Sequence, residues 1–155
     1  CLDYDNRVHT IDPATGKGTA GDSLLDPNVL VHWDPVTRRA AGFLDGEEPF
    51  FQVVDADTGK HIGKIPVPKD RNNPGVAFCT TDPNRVAVFL PGTTEVVNPT
   101  TGAVVRTLKH GTKNDTPPPA GALSPDGRLV AVNTGPFSVW EVATGKRRFV
   151  FDEVL

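Results

Sequence analysis

The chain has 155 residues, with 16 Lys and Arg against 19 Asp and Glu and a formal net charge of −3. Its most basic stretch, Gly145–Arg148, is followed closely by Asp152 and Glu153, so no surface suited to a phosphate backbone is encoded and no nucleic-acid partner is expected. No apolar run approaches the roughly 18 residues of a membrane-spanning helix, and the 15 glycines and 15 prolines are spread along the chain, punctuating many short elements rather than long helices.

The first elements are an extended Leu2–Tyr4 and a hairpin whose loop reads Ile11–Lys17, "IDPATGK". Near-copies of that loop follow as "VDADTGK", "VNPTTGA" and "EVATGK", with Gly16, Gly59, Gly102 and Gly145 spaced 43 residues apart and Thr15, Thr58, Thr101 and Thr144 before them. Each is read as a four-residue hairpin loop in which Gly takes the left-handed conformation that returns the chain. Any other residue there costs about 1–2 kcal/mol. Asp12, Asp55 and Asn98 can accept loop N–H groups, Pro13 and Pro99 suit the first turn position, and Glu141 should cap less well.

Around these loops the period divides into four strands, A to D. The second unit runs from Val29 to Ile65 with about three extra residues at "DGEEPF". In the third unit the strands are expected near Val76–Thr80, Val86–Leu90, Glu95–Val97 and Val104–Leu108. In the fourth they are expected near Ala120–Leu123, Leu129–Val132, Phe137–Glu141 and Arg148–Phe151. "RVAVFLPG" from Arg85 aligns with "RLVAVNTG" from Arg128, again at 43 residues. Four strands per 40–45 residues is the signature of a β-propeller blade. The fold class is therefore all-β: four-stranded antiparallel blades in an incomplete ring, forming one partial propeller domain over 1–155. Its parts are a blade remnant at 1–20 and blades at 21–65, 66–108 and 109–155.

"ALSPDGRLVAVNTGPFSVWEVATGKRRFVF" resembles a bacterial WD-repeat blade, with Ser138, Trp140 and Glu141 where Ser/Thr, Trp and Asp usually stand. "VVDADTGKHIGKIPV" followed by "PGVAF" equally resembles the YVTN-type repeat of bacterial surface propellers. The Gly-His pair of WD repeats is missing (the chain has His110-Gly111), and a single blade carries the Trp. The tetrad of His, Asp, Ser/Thr and Trp that the resemblance implies is incomplete.

Residues able to carry chemistry are scattered. His9, His32, His61 and His110 fall on different strands or loops with no metal-ligand spacing. Ser124 lies in a turn, "LSPDG", and not in a nucleophile elbow. Asp34, Asp82 and Asp126 recur in the A–B turns, where capping accounts for them. Cys79 reads as a small buried thiol, Cys1 has no metal-binding partner in the sequence, and Trp140 reads as core. No catalytic residue, metal site or cofactor is expected. Possible partner-binding residues are Trp33, at the end of a strand beside a turn and open to partial exposure, Glu47 and Glu48 in the second-blade insertion, and Lys69, Arg71, His110 and Lys113 in the divergent D–A connections.

The leading expectation is a non-catalytic interaction scaffold presenting loops to a protein partner. The alternatives are a ligand-sensing or enzymatic propeller of lactonase or dehydrogenase type, and a secreted or surface structural repeat protein. Three blades and a remnant cannot close a ring, so the chain is expected to be a segment of a longer propeller of about seven blades, with the apolar flanks of its end blades bare.

Overall fold

The computed structural model describes residues 7–12, 14–23, 31–69, 74–111, 120–133 and 136–151. All regular elements among them are strands: β1 (Arg7–Ile11), β2 (Gly18–Ser23), β3 (Val31–Asp34), β4 (Arg39–Leu44), β5 (Phe50–Asp55), β6 (His61–Pro66), β7 (Gly75–Phe78), β8 (Val86–Leu90), β9 (Thr93–Val97), β10 (Val104–Lys109), β11 (Ala120–Leu123), β12 (Leu129–Asn133), β13 (Phe137–Glu141) and β14 (Arg147–Phe151). They form an antiparallel pair, β1–β2, and three four-stranded antiparallel sheets in chain order, β3–β6, β7–β10 and β11–β14. We call the three sheets blades 2, 3 and 4.

The innermost strand of each blade is its first. β7 packs beside β3 and β11, while β6, β10 and β14 lie at the far edges of their sheets. Each blade therefore has two faces to cover, and its middle strands show it. All five residues of β8, "VAVFL", are buried, because odd positions face blade 2 and even positions face blade 4. Strands buried on both faces read as continuous apolar runs rather than as alternation. Between blades 2 and 3 the core holds Ala41, Phe51, Val53 and Ile65 against Val76, Val86, Val88 and Val97. Between blades 3 and 4 it holds Ala87, Phe89, Val96 and Leu108 against Leu123, Val130, Val132 and Val142.

Strand pairing corrects the alignment of the B strands. Val86 is opposite Val97, Val130 opposite Trp140, and Ala40 opposite Val54. Val97 and Trp140 are 43 residues apart, but the structural counterpart of Val86 is Val130, 44 residues on, and not Leu129. The B–C segment of blade 4 is one residue shorter than that of blade 3, which offsets the extra residue before Val130, so the glycine spacing survives. The slip matters because a one-residue shift exchanges the two faces of a strand.

The four repeated glycines have φ of 68, 68, 71 and 70°, all left-handed. In each loop the Gly N–H donates to the carbonyl four residues back, and the Asp, Asn or Glu N–H closes the hairpin onto the carbonyl of the residue after Gly. Asp55 accepts from the Asp57 and Thr58 N–H groups and from the Thr58 hydroxyl. Asn98 accepts from the N–H groups of Thr100 and Thr101. Glu141 reaches only side chains, the Thr144 hydroxyl and the Arg148 guanidinium, because its longer stem carries the carboxylate past the loop N–H groups. Asp34, Asp82 and Asp126 cap the A–B turns through the N–H groups of Val36, Asn84 and Arg128.

Each of the three complete hairpins also carries a bulge at one position. The pairing of β5–β6, β9–β10 and β13–β14 skips Ile62, Val105 and Arg148. These residues are again 43 apart. A repeated bulge increases local twist and swings the outer strand away from the hairpin axis.

Candidate functional site

The connections sort to two ends of the blades. At one end lie the A–B turns and the C–D hairpins, joined by Ala56 N–H to Arg38 carbonyl and Val142 N–H to Arg128 carbonyl bonds. At the other lie the B–C turns and D–A connections, joined by Val67 N–H to Pro49 carbonyl and His110 N–H to Gly92 carbonyl bonds. The first end repeats itself in sequence and in hydrogen bonding. The second does not: blade 2 has an insertion over Asp45–Pro49 whose residues 45–48 are exposed, and blade 3 turns through Pro91 and Gly92 alone.

The expected binding residues divide accordingly. Glu47, Glu48 and Lys69 are exposed at the divergent end, on blade 2 and the connection that follows it. Arg71 and Lys113 lie outside the described residues, as does Cys1. His110 is at the same end but is half-buried, not a loop tip: its Nε2 is 2.9 Å from the Thr94 hydroxyl and its ring meets Trp140 edge-on at 6.4 Å. Trp140 in turn donates from Nε1 to Ser138 Oγ at 2.9 Å. Residue types of the expected tetrad thus meet between blades 3 and 4 even with the Gly-His order reversed, since the connection brings His110 in from blade 3. Trp33 is near the end of β3 beside the A–B turn and is half-buried. It stands at the position of Phe78 and Leu123 in the register, packs on Ala40 and Val54, and lies at the hairpin end, away from Glu47, Glu48 and Lys69.

The remaining chemistry-bearing groups have structural surroundings. Cys79 is a buried free thiol that donates to the Pro125 carbonyl at 3.0 Å. Ser124 donates to Asp126 and accepts from the Leu129 N–H. The exposed carboxylates with shifted titration all shift downwards. The Thr15 hydroxyl lowers Asp12, Thr58 lowers Asp55, Arg38 lowers Asp57, Ser124 lowers Asp126, and Thr144 with Arg148 lowers Glu141. A general acid needs the opposite shift, so these groups act as anions that hold turns. His32, on the innermost strand of blade 2, differs: burial pushes its pKa below the ordinary value, and its Nε2 has no hydrogen-bond partner. Among the described residues no three His, Cys, Asp or Glu side chains are grouped to hold a metal ion. No described helix is long and apolar enough to cross a membrane.

No protein-family model matches the chain, and no curated protein matches it in sequence. Solved structures do match in fold. A chain of the mitotic checkpoint complex superposes with a TM-score of 0.62 at 13% identity, over 94% of this chain and 44% of that one. A chain of the nidogen–laminin complex superposes with a TM-score of 0.58 at 15% identity, over 96% and 56% respectively. The chain spans about half the length of these structures. The strand order, the packing of first strands against one another and these likenesses together make the fold a set of β-propeller blades in an unclosed ring.

Proposed function

We propose that the chain is a non-catalytic interaction scaffold of WD-repeat-like type, which presents the end bearing Asp45–Pro49, Lys69 and His110 to a protein partner. One observation carries this reading. The hairpin end is built from the same capped turns in every blade, whereas the connection end changes length and charge from blade to blade. Divergent loops on a constant framework are the usual seat of recognition. Both solved neighbours named above belong to protein complexes, which supports the same reading. The repeat itself is assigned to the bacterial WD or YVTN type on the hairpin and blade motifs.

The test compares retention of proteins from a lysate by the immobilised chain and by two charge-reversed forms. Glu47→Lys with Glu48→Lys should abolish retention of a specific protein that Lys60→Glu, at the hairpin end, leaves bound. Equal retention by all three forms sinks the proposal.

A ligand-sensing or enzymatic propeller has one observation in its favour, the buried His32 Nε2 without a hydrogen-bond partner on an innermost strand. It predicts hydrolysis or oxidation within a panel of sugar lactones and alcohols that His32→Asn removes; no turnover across the panel dismisses it.

We also infer that further blades cover the outer face of blade 4. The positions of Phe51 and Thr94, both fully buried, are taken in blade 4 by Phe137 at 41% exposure, and those of Ile65 and Leu108 by Phe151 at 52%. Size-exclusion chromatography of the 155-residue chain should show self-association that Phe149→Lys with Phe151→Lys reduces. A monomeric native chain refutes the inference.

A further inference from the structure

The two junctions between blades differ at the hairpin end. A common clasp links them: Arg39 of blade 2 donates to the Pro83 carbonyl in the A–B turn of blade 3, and Arg85 of blade 3 donates to the Gly127 carbonyl in that of blade 4. Beside the clasp the outer strands diverge. In blade 2 the position is Gly63, and the Pro99 carbonyl of the next hairpin sits so close that a Cβ would lie 1.8 Å from it. In blade 3 the same position is Arg106, whose guanidinium donates from Nε to the Val142 carbonyl at 3.0 Å and from Nη2 to the Ala143 carbonyl at 2.6 Å. Glycine seals the first junction. Arginine holds the second apart.

The result is a groove of about 150 Å³, walled by Arg85, Arg106, Arg128 and Glu141 and floored by Val142 and Ala143. Three guanidinium groups around so small a space are unusual on a chain of net negative charge. Arg85 spends Nε on Asp82 and Nη1 on Gly127, and Arg106 spends Nε and Nη2 on blade 4. The Arg128 guanidinium makes no hydrogen bond or ion pair among the described residues, although its charge lowers the Asp126 and Glu141 carboxylates beside it. The Glu141 carboxylate in the wall is held mainly by Thr144 and Arg148 from outside the groove, with Arg128 contributing across it.

We infer that this groove is a binding site for a carboxylate, supplied by an acidic segment of a protein partner. Arg128 would meet the carboxylate oxygens through its open fork, and the free N–H groups of Arg85 and Arg106 would complete their hydrogen bonds, the arrangement in which Arg recognises planar anions best. A nucleic-acid backbone fits poorly, since its successive phosphates would run past Asp82, Asp126 and Glu141. The inference is independent of the loop-face scaffold proposal, because the groove is at the opposite end and its test uses a different residue.

The experiment is a fluorescence-anisotropy titration of a fluorescein-labelled Gly-Asp-Glu-Asp-Gly amide with the 155-residue chain at about 0.1 M salt, where exposed charges beyond about 10 Å are screened. Saturable binding is expected, weakened about tenfold by Arg128→Gln, the loss of a charge-assisted pair, and less by Arg128→Lys. The exposed control Lys60→Gln should stay within about twofold, and the Gly-Asn-Gln-Asn-Gly probe should not bind. Because Arg128 is exposed and its guanidinium makes no hydrogen bond or ion pair among the described residues, its variants keep the fold. No saturation, or equal weakening by Arg128→Gln and Lys60→Gln, overturns the inference, the second outcome by reducing it to diffuse surface attraction.

Discussion

Blade 3 and blade 4 present the same kind of outer face, and only one of them is covered. On blade 3, Phe89, Val96 and Leu108 are sealed beneath blade 4 at 2% exposure or less. On blade 4 the matching surface carries Phe137, Val139, Phe149 and Phe151, with Phe149 at 60% exposure and the Phe137 and Phe151 rings in tilted contact at 5.8 Å. The apolar pattern that reads as core in one blade is surface in the next. Burial here belongs to the junction, not to the strand.

The sharpest way to break this comparison is truncation on both faces. Phe89→Ala should cost about 3–5 kcal/mol, the usual penalty for emptying a packed aromatic site. Phe149→Ala should stay within about 0.5 kcal/mol, as surface changes do. Urea denaturation measures both at dilutions where the chain is monomeric, and similar losses would mean that the two faces are equally packed within one chain.

A second contrast sharpens the sealed junction. Gly63→Ala forces a Cβ into the Pro99 carbonyl and should cost about 1–3 kcal/mol as an overpacking change. Gly46→Ala, with nothing within 4 Å of its Cβ, should be close to neutral. If the two midpoints shift alike, the close approach of blade 3 to blade 2 is not rigid.

The hairpin glycines separate conformational cost from contact. Gly16→Ala and Gly102→Ala each lose about 1–2 kcal/mol to the left-handed backbone. Gly102→Ala should lose more, because its Cβ would also press on the Lys64 carbonyl at 3.2 Å, whereas Gly16 has open space. Equal losses would place the whole cost in the backbone angle.

The smallest effect is one of pH. Burial holds the His32 imidazole below its ordinary value of 6.5, so the native state resists a proton that the unfolded chain accepts. Above pH 6.5 neither state is protonated and His32 has no influence. As the pH falls through 6.5 the unfolded state gains the proton and stability declines. The drop in denaturation midpoint between pH 7.5 and 5.5 should be smaller in His32→Asn; an unchanged drop would assign it to other groups.

Much of the fold was legible because it is local. The loop Asp55–Lys60 needs only an acceptor, a hydroxyl and a glycine at fixed offsets, and those offsets are printed in every repeat. The candidate site was less legible. Glu47, Glu48 and Lys69 are at the expected end because loop composition tracks exposure, whereas the equivalence of Trp33 with Phe78 and Leu123 was not legible, since that register depends on cross-strand pairing. The contact of His110 with Trp140 was not legible because its members arrive from two blades, and the tetrad itself stays incomplete, since no Asp joins them among the described residues.

The sequence by itself determined the period, the left-handed glycines, the capped turns and the four-stranded unit, all of which are settled by interactions spanning a few residues. Only the tertiary structure decided which faces are sealed, that Val86 corresponds to Val130, and that Gly63 closes one junction where Arg106 holds the other open. These depend on how far one blade stands from the next, a distance set jointly by side chains on separate sheets and encoded in neither alone.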